Sequence, residues 1–408
     1  MANTLLTPSI VTRESLRILE NNLTFAKGVN REYDNRFASS GGKIGATLNI
    51  RKPPRFTVSS GAALAIQDVT DTQVPLVITN QDHVDTNFTT QELTLLVEDF
   101  SDRILRPKMA ALANVIDFNG LTQFKEVYNQ VGTPGTTPST LVGVLQVGEK
   151  MDYEATPRDG MRSLVINPTA NASLVGAFSG LFNNSDKIST QYDTGNLGAS
   201  LGFKISMDQN INVQTVGPLG GTPAVNGAGQ GIAIGAADTT ALITNGWTAA
   251  AALRLNKGDV FTIAAVFAVN PQSRQTTSQL RQFTVINNTS SDAGGNATIT
   301  VSPAIITGGP FQTVTVSPAN GALLTVIGAA NAVYPVNMGY HRDAFTLATV
   351  DLENPESFGA WGSREVYKGV SLRTVRQYRI GTDDVPCRVD VLYGWKTIYR
   401  ELACRLAG

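Results

Sequence analysis

Two histidines, two cysteines and one glycine-rich stretch are the places in this chain where chemistry could be built. His83 lies in NQDHVD, where Asp82, His83 and Asp85 offer carboxylate and imidazole ligands for a conceivable metal cluster. Successive side chains on a strand face opposite sides, and the stretch lies beside a turn, so a solvated loop is the expected reading. His341 lies in YHRDAF, with Arg342 and Asp343 as neighbours. A general acid–base pair also needs a shared pocket and a nucleophile. Neither has a signal here, so an ion-paired structural role is expected. The stretch NGAGQGIAIG near residue 230 lacks both the spacing of a dinucleotide loop and the Lys-Ser/Thr of a phosphate loop, and reads as a flexible loop. Cys387 and Cys404 lack the paired spacing of a zinc site and are expected as free thiols. The sequon Asn288-Thr289-Ser290 has meaning only on secretion. No catalytic residue, cofactor or metal is assigned.

The bulk properties narrow the class further. The chain has 408 residues, 42% hydrophobic and 16% charged, with 38 glycines and a net charge of -1. Its mean hydropathy is -0.03. That length is enough for two or three cores at roughly 150 residues each. No run approaches the roughly 18 apolar residues needed to span a membrane, so no membrane partner is expected. MANTLLTPSIVTRESLRILENN lacks the basic and apolar regions of a secretory signal, so cytoplasmic synthesis is expected. A dedicated nucleic-acid binder would show a basic excess, which 32 basic against 33 acidic residues do not supply.

The elements that would position such residues begin with a short helix over Ser9 to Asn22. Leu16, Leu19 and Leu23 line one face there, with Thr12 as a possible cap. KIGATLNIRKPPRFTV alternates Ile44, Ala46, Leu48 and Ile50 with polar residues, the period of a strand with one covered face. Pro53-Pro54 ends that pairing, and with VPLVITN from Val74 it suggests a long two-stranded projection. Such a ribbon is marginal by itself, so it is expected to lie on neighbours. Thr89 and Glu92 form a capping box for the strongest helix. Its apolar face runs through Leu93, Leu96, Val97, Phe100, Ile104 and Leu105, with Glu98, Asp99, Asp102 and Arg103 opposite. Pro107 should kink it or start a second segment, and the pattern resumes from Met109 towards Val127.

After the connector GTPGTTP, a helix from Leu141 to Met151, a strand SLVIN, a helix ASLVGAFSGLF and a strand FKISMDQNI suggest an α+β core. Between Asn212 and Val333 charge nearly vanishes. Short β-like runs follow one another there: VFTIAAVFAV, RQFTVIN, ATITVSP, QTVTVSP and LLTVIG. Turn signals such as NKGD, DAGGN and SPANG separate them, as in a small barrel or sandwich. The hairpin VFTIAAVFAVNPQSRQTTSQLRQFTV contains no plausible catalyst. Charge returns with GVSLRTVRQYRI and RVDVLYGW, so an all-β domain inserted into an α+β one is the simplest account.

In this order, the segments TRESLRILENN, KIGATLNIRKPPRFTV, LTLLVEDFSDRILRPKMAALANVID, DQNI, VFAVNPQSRQTTSQLRQFTV, HRDAFTLATVDL, GVSLRTVRQYRI and RVDVLYGWKTIYRELACR resemble the major capsid proteins of tailed bacteriophages. The fold is the HK-97 type, and within it the likeness is to the P-22-like podovirus coat proteins. The resemblance implies an N-arm over 1–37, an extended loop over 38–88 that overlaps a neighbour, and a spine helix in a peripheral domain over 89–130. It further implies an axial domain over 131–211, an inserted β-barrel domain over 212–333, an axial return over 334–375 and a peripheral return over 376–408. The implied function is a non-enzymatic subunit of an icosahedral shell of hexamers and pentamers around double-stranded DNA. Its localisation would be the virion capsid, assembled in the bacterial cytoplasm. With only the arm preceding the β-projection, a separate scaffolding protein is expected, contacting Glu14 or Glu20; a portal protein is a further partner. DNA contact would be non-specific, its charge met mainly by counterions. Candidate intersubunit contacts are Asp99, Arg103 and Arg106 on the spine, Arg274 and Arg281 in the hairpin, and Arg373, Arg376 and Arg379 on a late strand. A β-rich surface adhesin or fibre is the alternative, motivated by the Thr/Gly/Asn-rich insert. An enzyme comes last.

Overall fold

The computed structural model describes residues 8–32, 47–89, 104–179, 197–353 and 360–407, in two compact units. The first unit comprises Met1–Ile50, Pro75–Leu121 and Phe345–Ile398. Its core is a five-stranded antiparallel sheet built round the long strand Asp384–Thr397. One side of that strand pairs with Asn80–Thr89, from Asp384↔Thr89 to Tyr393↔Asn80. The other side is shared by Val370–Arg376 and Phe345–Val350, with Trp361–Tyr367 beyond the former.

Helix α1, Pro8–Asn22, buries Leu16 and Leu19 as its spacing requires, and Leu23 just beyond its end is buried as well. It packs on helix α2, Arg106–Leu121, and on the strands Trp361–Tyr367 and Val370–Arg376. Thr12 is not the cap. The helix already begins at Pro8, and Thr12 is buried within it. Pro107 falls near the start of α2, just after the π-helical residues Ile104 and Leu105; the 3-10 turn Thr122–Glu126 follows α2 directly. The expected first half of that helix, Thr89 to Arg103, lies outside the described residues apart from Thr89 itself. The α1 exit is fixed by Asp117 of α2, whose carboxylate accepts the amides of Thr24 (2.6 Å) and Ala26 (2.8 Å).

One expectation for this region changes. NQDHVD is no loop, because it lies in Asn80–Thr89, a strand paired along its whole length. Its polar run hides the pairing, since no apolar alternation marks it. Val370–Arg376 and Asp384–Thr397 share one sheet. The chain passes between units after Ala344 and again after Ile398. The strands Thr47–Lys52 and Thr72–Val77 form the expected two-stranded ribbon; Ile44 and Ala46 lie outside the described residues.

The second unit comprises Arg51–Val74, Thr122–Ala344 and Tyr399–Gly408. One part is a mixed six-stranded sheet. Its order is Gln130–Val131, Ala403–Leu406, Asn337–His341, Arg162–Ile166, Phe203–Met207, Ala199–Ser200. Helices α3, Leu141–Tyr153, and α4, Pro168–Ser179, belong to the same part. Val144, Val147 and Met151 of α3 and Ala170 and Leu174 of α4 share an apolar core with the sheet's Leu164, Ile166, Phe203 and Leu406.

The other part is a second six-stranded sheet ordered Leu324–Val326, Val260–Val269, Thr276–Val285, Ala297–Ser302, Thr240–Trp247, Gly221–Val225. Its two ends meet through the bridge Ala224↔Leu323, so the sheet closes on itself. Inside are Leu242, Ile263, Ile299 and the stacked rings of Phe261 and Phe283, 5.8 Å apart. The hairpin Val260 to Val285 is therefore two barrel staves, turned by Asn270, whose side-chain oxygen accepts the amides of Gln272 and Ser273. QTVTVSP supplies no stave, only a single bridge between Val314 and Ala268. Nor is NGAGQGIAIG a free loop, because Ile232–Ile234 pairs in parallel with Ile306–Gly308. Gly231 permits this with φ 128°, where a Cβ would lie 2.8 Å from the carbonyl oxygen of Ile305.

Candidate functional site

Among the charged candidates, Glu20 and Arg281 turn inward. Arg281 leaves its barrel stave to meet Glu154, just beyond the end of α3, at 2.5 Å. Arg281 is 3% exposed and Glu154 8%. The guanidinium also covers the Tyr128 ring at 4.5 Å. Burial pushes the Glu154 carboxyl above its ordinary range, against the pull of Arg281. The same stave sends Gln279 to Lys150 of α3 and couples Gln282 to the backbone of Gln130 through two bonds of 2.8 Å. Thr284 donates to the Lys125 carbonyl at 3.1 Å. One stave thus supplies a row of polar anchors between the barrel and the α+β part of the unit.

Arg405, in the sheet strand Ala403–Leu406, completes the row from the other side. It is wholly buried, donates to the Gly258 carbonyl (2.6 Å) and Thr284 Oγ1 (3.0 Å), and lies over the Phe124 ring. Burial lowers its pKa to about 10. Nearby, Asp259 accepts Gln214 Nε2, Gly217 N and Asn256 N at 2.8–2.9 Å. Sequence reasoning missed Arg405 and Asp259. A lone arginine in ELACRL reads as the end of a strand, and nothing local says that a barrel covers it.

The remaining candidates distribute as follows. Asp99 and Arg103 lie outside the described residues. Arg106 is exposed at the start of α2, and its charge contributes to lowering the Glu14 pKa, an effect led by the hydrogen bond from Arg17. Glu14 bonds to Arg17 of its own helix at 2.6 Å. Glu20 is no exposed contact: it is buried against Arg31 at 2.8 Å, because α1 packs with that side inward. Arg274, at φ 57°, donates to the carbonyls of Phe56 and Pro310. Arg281 lies in the buried ion pair with Glu154. Arg373 holds Asp390, itself fully buried, at 2.6 Å, and Arg379 holds Asp384 at 2.6 Å. Thr382 and Arg379 pull the Asp384 pKa down to about 2. Arg376 lies across the face of Trp361.

The two histidines are structural in their surroundings. His341 is buried, with Nε2 3.1 Å from Asp159. His83 pairs with Asp85 at 3.0 Å, while Asp82 accepts the Tyr393 hydroxyl at 2.5 Å. Among the described residues no cluster of three or more His, Cys, Asp or Glu could hold a metal ion. Both cysteines are free. Among the described residues no helix is long and apolar enough to cross a membrane.

Comparison with known proteins gives a whole-chain match. The family model for the P22 coat protein, gene protein 5, matches residues 2–408. Among solved structures, one from Mycobacterium phage Che8 is similar at TM-score 0.45 and 12% identity, covering 94% of this chain and 90% of that one. The capsid structure of the cyanophage P-SCSP1u matches at TM-score 0.43 and 10% identity, covering 89% and 83%. The CUS-3 coat protein I-domain matches at 24% identity and TM-score 0.20, covering 26% of this chain and 96% of that one. A search of curated proteins found no match.

Proposed function

Since the chain belongs to the P22 coat protein family, we propose that this major capsid protein closes into an icosahedral shell of hexamers and pentamers around double-stranded DNA. In this reading it has no enzymatic role. It assembles in the bacterial cytoplasm with a separate scaffolding protein and a portal protein. The α1 arm, the extended segment before Asn80 and the barrel serve as arm, overlapping loop and inserted domain of an HK-97-type subunit. The first unit's sheet and α2 serve as its peripheral body, and the second unit's mixed sheet as its axial body.

The observation that carries this reading is the segment between the two ribbon strands. Val58, Leu64 and Ile66 are 96%, 87% and 83% exposed there. Apolar side chains gathered on one extended segment are a liability unless another surface covers them. Repeated copies of the same chain offer that cover in a closed symmetric assembly. An adhesin or fibre is the competing class.

Negative-stain microscopy of the purified chain, with and without its cognate scaffolding protein, tests the reading. Uniform closed shells with the scaffold are expected. Monodisperse small species in both samples would overturn it and reopen the adhesin.

A further inference from the structure

We propose that Lys52–Phe56 is a charged latch that sets the direction of the exposed apolar segment following it. The latch rests on the second unit alone and stands whether or not the shell reading holds. Lys52 Nζ lies 3.1 Å from Asp238 and over the Tyr399 ring. Arg55 bonds to Glu401 at 2.7 Å and covers the Phe311 ring. The Phe56 carbonyl accepts from Arg274 at 3.0 Å, and the same nitrogen reaches the Pro310 carbonyl at 3.1 Å. Three anchors therefore fall within five residues, and the pair between the two charged ends is Pro53-Pro54. Proline fixes φ, so this strap is stiff and moves as a piece, pinned by its side chains.

Beyond Phe56 the next tie is Thr57 to Gln67, in which Thr57 N donates to Gln67 Oε1 at 2.8 Å and Gln67 Nε2 donates back to the Thr57 carbonyl. That tie closes a loop upon itself. The loop, with Val58, Leu64 and Ile66, follows wherever the strap points.

Behind the strap is a cavity of about 190 Å³, with Pro53, Pro54 and Arg55 on one side and Tyr128, Glu154 and Arg281 on another. Arg281 Nε, in that second wall, is buried without a hydrogen-bond partner among the described residues. Opening the strap exposes Glu154 and Arg281 together with apolar lining. Both ion pairs are partly exposed, so each is weak and screened by salt. Weakness of this kind is what a reversible latch requires.

Trypsin reads the latch in the full chain. The Arg55–Phe56 bond is its substrate, whereas Lys52 precedes proline and resists cleavage. Glu401→Gln removes the charge that faces Arg55 and leaves the cleavage site intact. When opening is fast, cleavage follows the open population. Cutting at Arg55, identified by mass, should be about two- to fivefold faster in Glu401→Gln than in wild type at low salt. The difference should close near 0.5 M NaCl, where screening opens the wild-type latch as well. Asp238→Asn should act in the same direction through Lys52. Thermal midpoints within about 2 °C of wild type separate latch opening from loss of fold. Equal cleavage rates for wild type and both variants at low salt, or faster cleavage only where the midpoint falls, would overturn the proposal.

Discussion

Replacing Arg281 with methionine should be among the most damaging single changes in the second unit. The guanidinium is almost fully buried, bonded to Glu154 at 2.5 Å and seated over Tyr128. Removing one member of a buried pair costs about 3–5 kcal/mol, mostly because the other charge is left without compensation. At about 2 °C per kcal/mol for a unit of this size, the thermal midpoint should fall by roughly 6–10 °C. The loss should depend on pH. Burial already raises the Glu154 pKa, and without Arg281 nothing nearby of comparable strength opposes it. A carboxyl whose folded pKa lies above its unfolded value of about 4.3 contributes stability at low pH and loses it as pH rises through the folded value. The deficit should therefore be small near pH 4 and complete at neutral pH. Calorimetry of the full chain at about pH 4.5 and pH 7.5 measures both. The double variant Arg281→Met/Glu154→Leu should recover most of the loss, because an apolar pair of similar volume is often neutral. A fall below about 2 °C at neutral pH, or a larger deficit in acid, would refute the reasoning.

Two further outcomes follow from the first unit. Asp384, held at about pKa 2 by Thr382 and Arg379, contributes stability above its unfolded value that is lost as pH falls towards 2. Asp384→Asn should accordingly flatten the acid limb of an unfolding curve between about pH 4 and 2, read by circular dichroism. Gly120 of α2 faces Trp395 and Phe25, and a Cβ there would lie 2.5 Å from the indole ring. Gly120→Ala should thus destabilise by about 1–3 kcal/mol despite its better helix propensity, measured by chemical denaturation; a gain in stability would show that the ring gives way.

Much of the architecture was legible where local pattern and tertiary use agree. Leu16, Leu19 and Leu23 stand at helical spacing and are buried. VFTIAAVFAV and RQFTVIN carry β-branched and aromatic runs that become neighbouring staves. Where the pattern was silent the reading failed for a nameable reason. NQDHVD has no alternation, yet the neighbouring 14-residue strand supplies each of its residues with a ladder partner. QTVTVSP alternates well but finds only one bridge. β-Propensity records fit to a pleated surface, and that surface is built by distant residues.

The charged residues show the same division more sharply. Arg281, Arg373 and Arg379 each have an acidic partner within the chain. Which partner it is depends on pairings across 127, 17 and 5 residues. Sequence by itself determined the element order, the β-rich character of the middle and the absence of a recognisable catalytic motif, because these rest on local composition and period. Only the tertiary structure decided that Glu20, Arg281 and Arg405 face inward, because burial of a charge is a property of what folds over it.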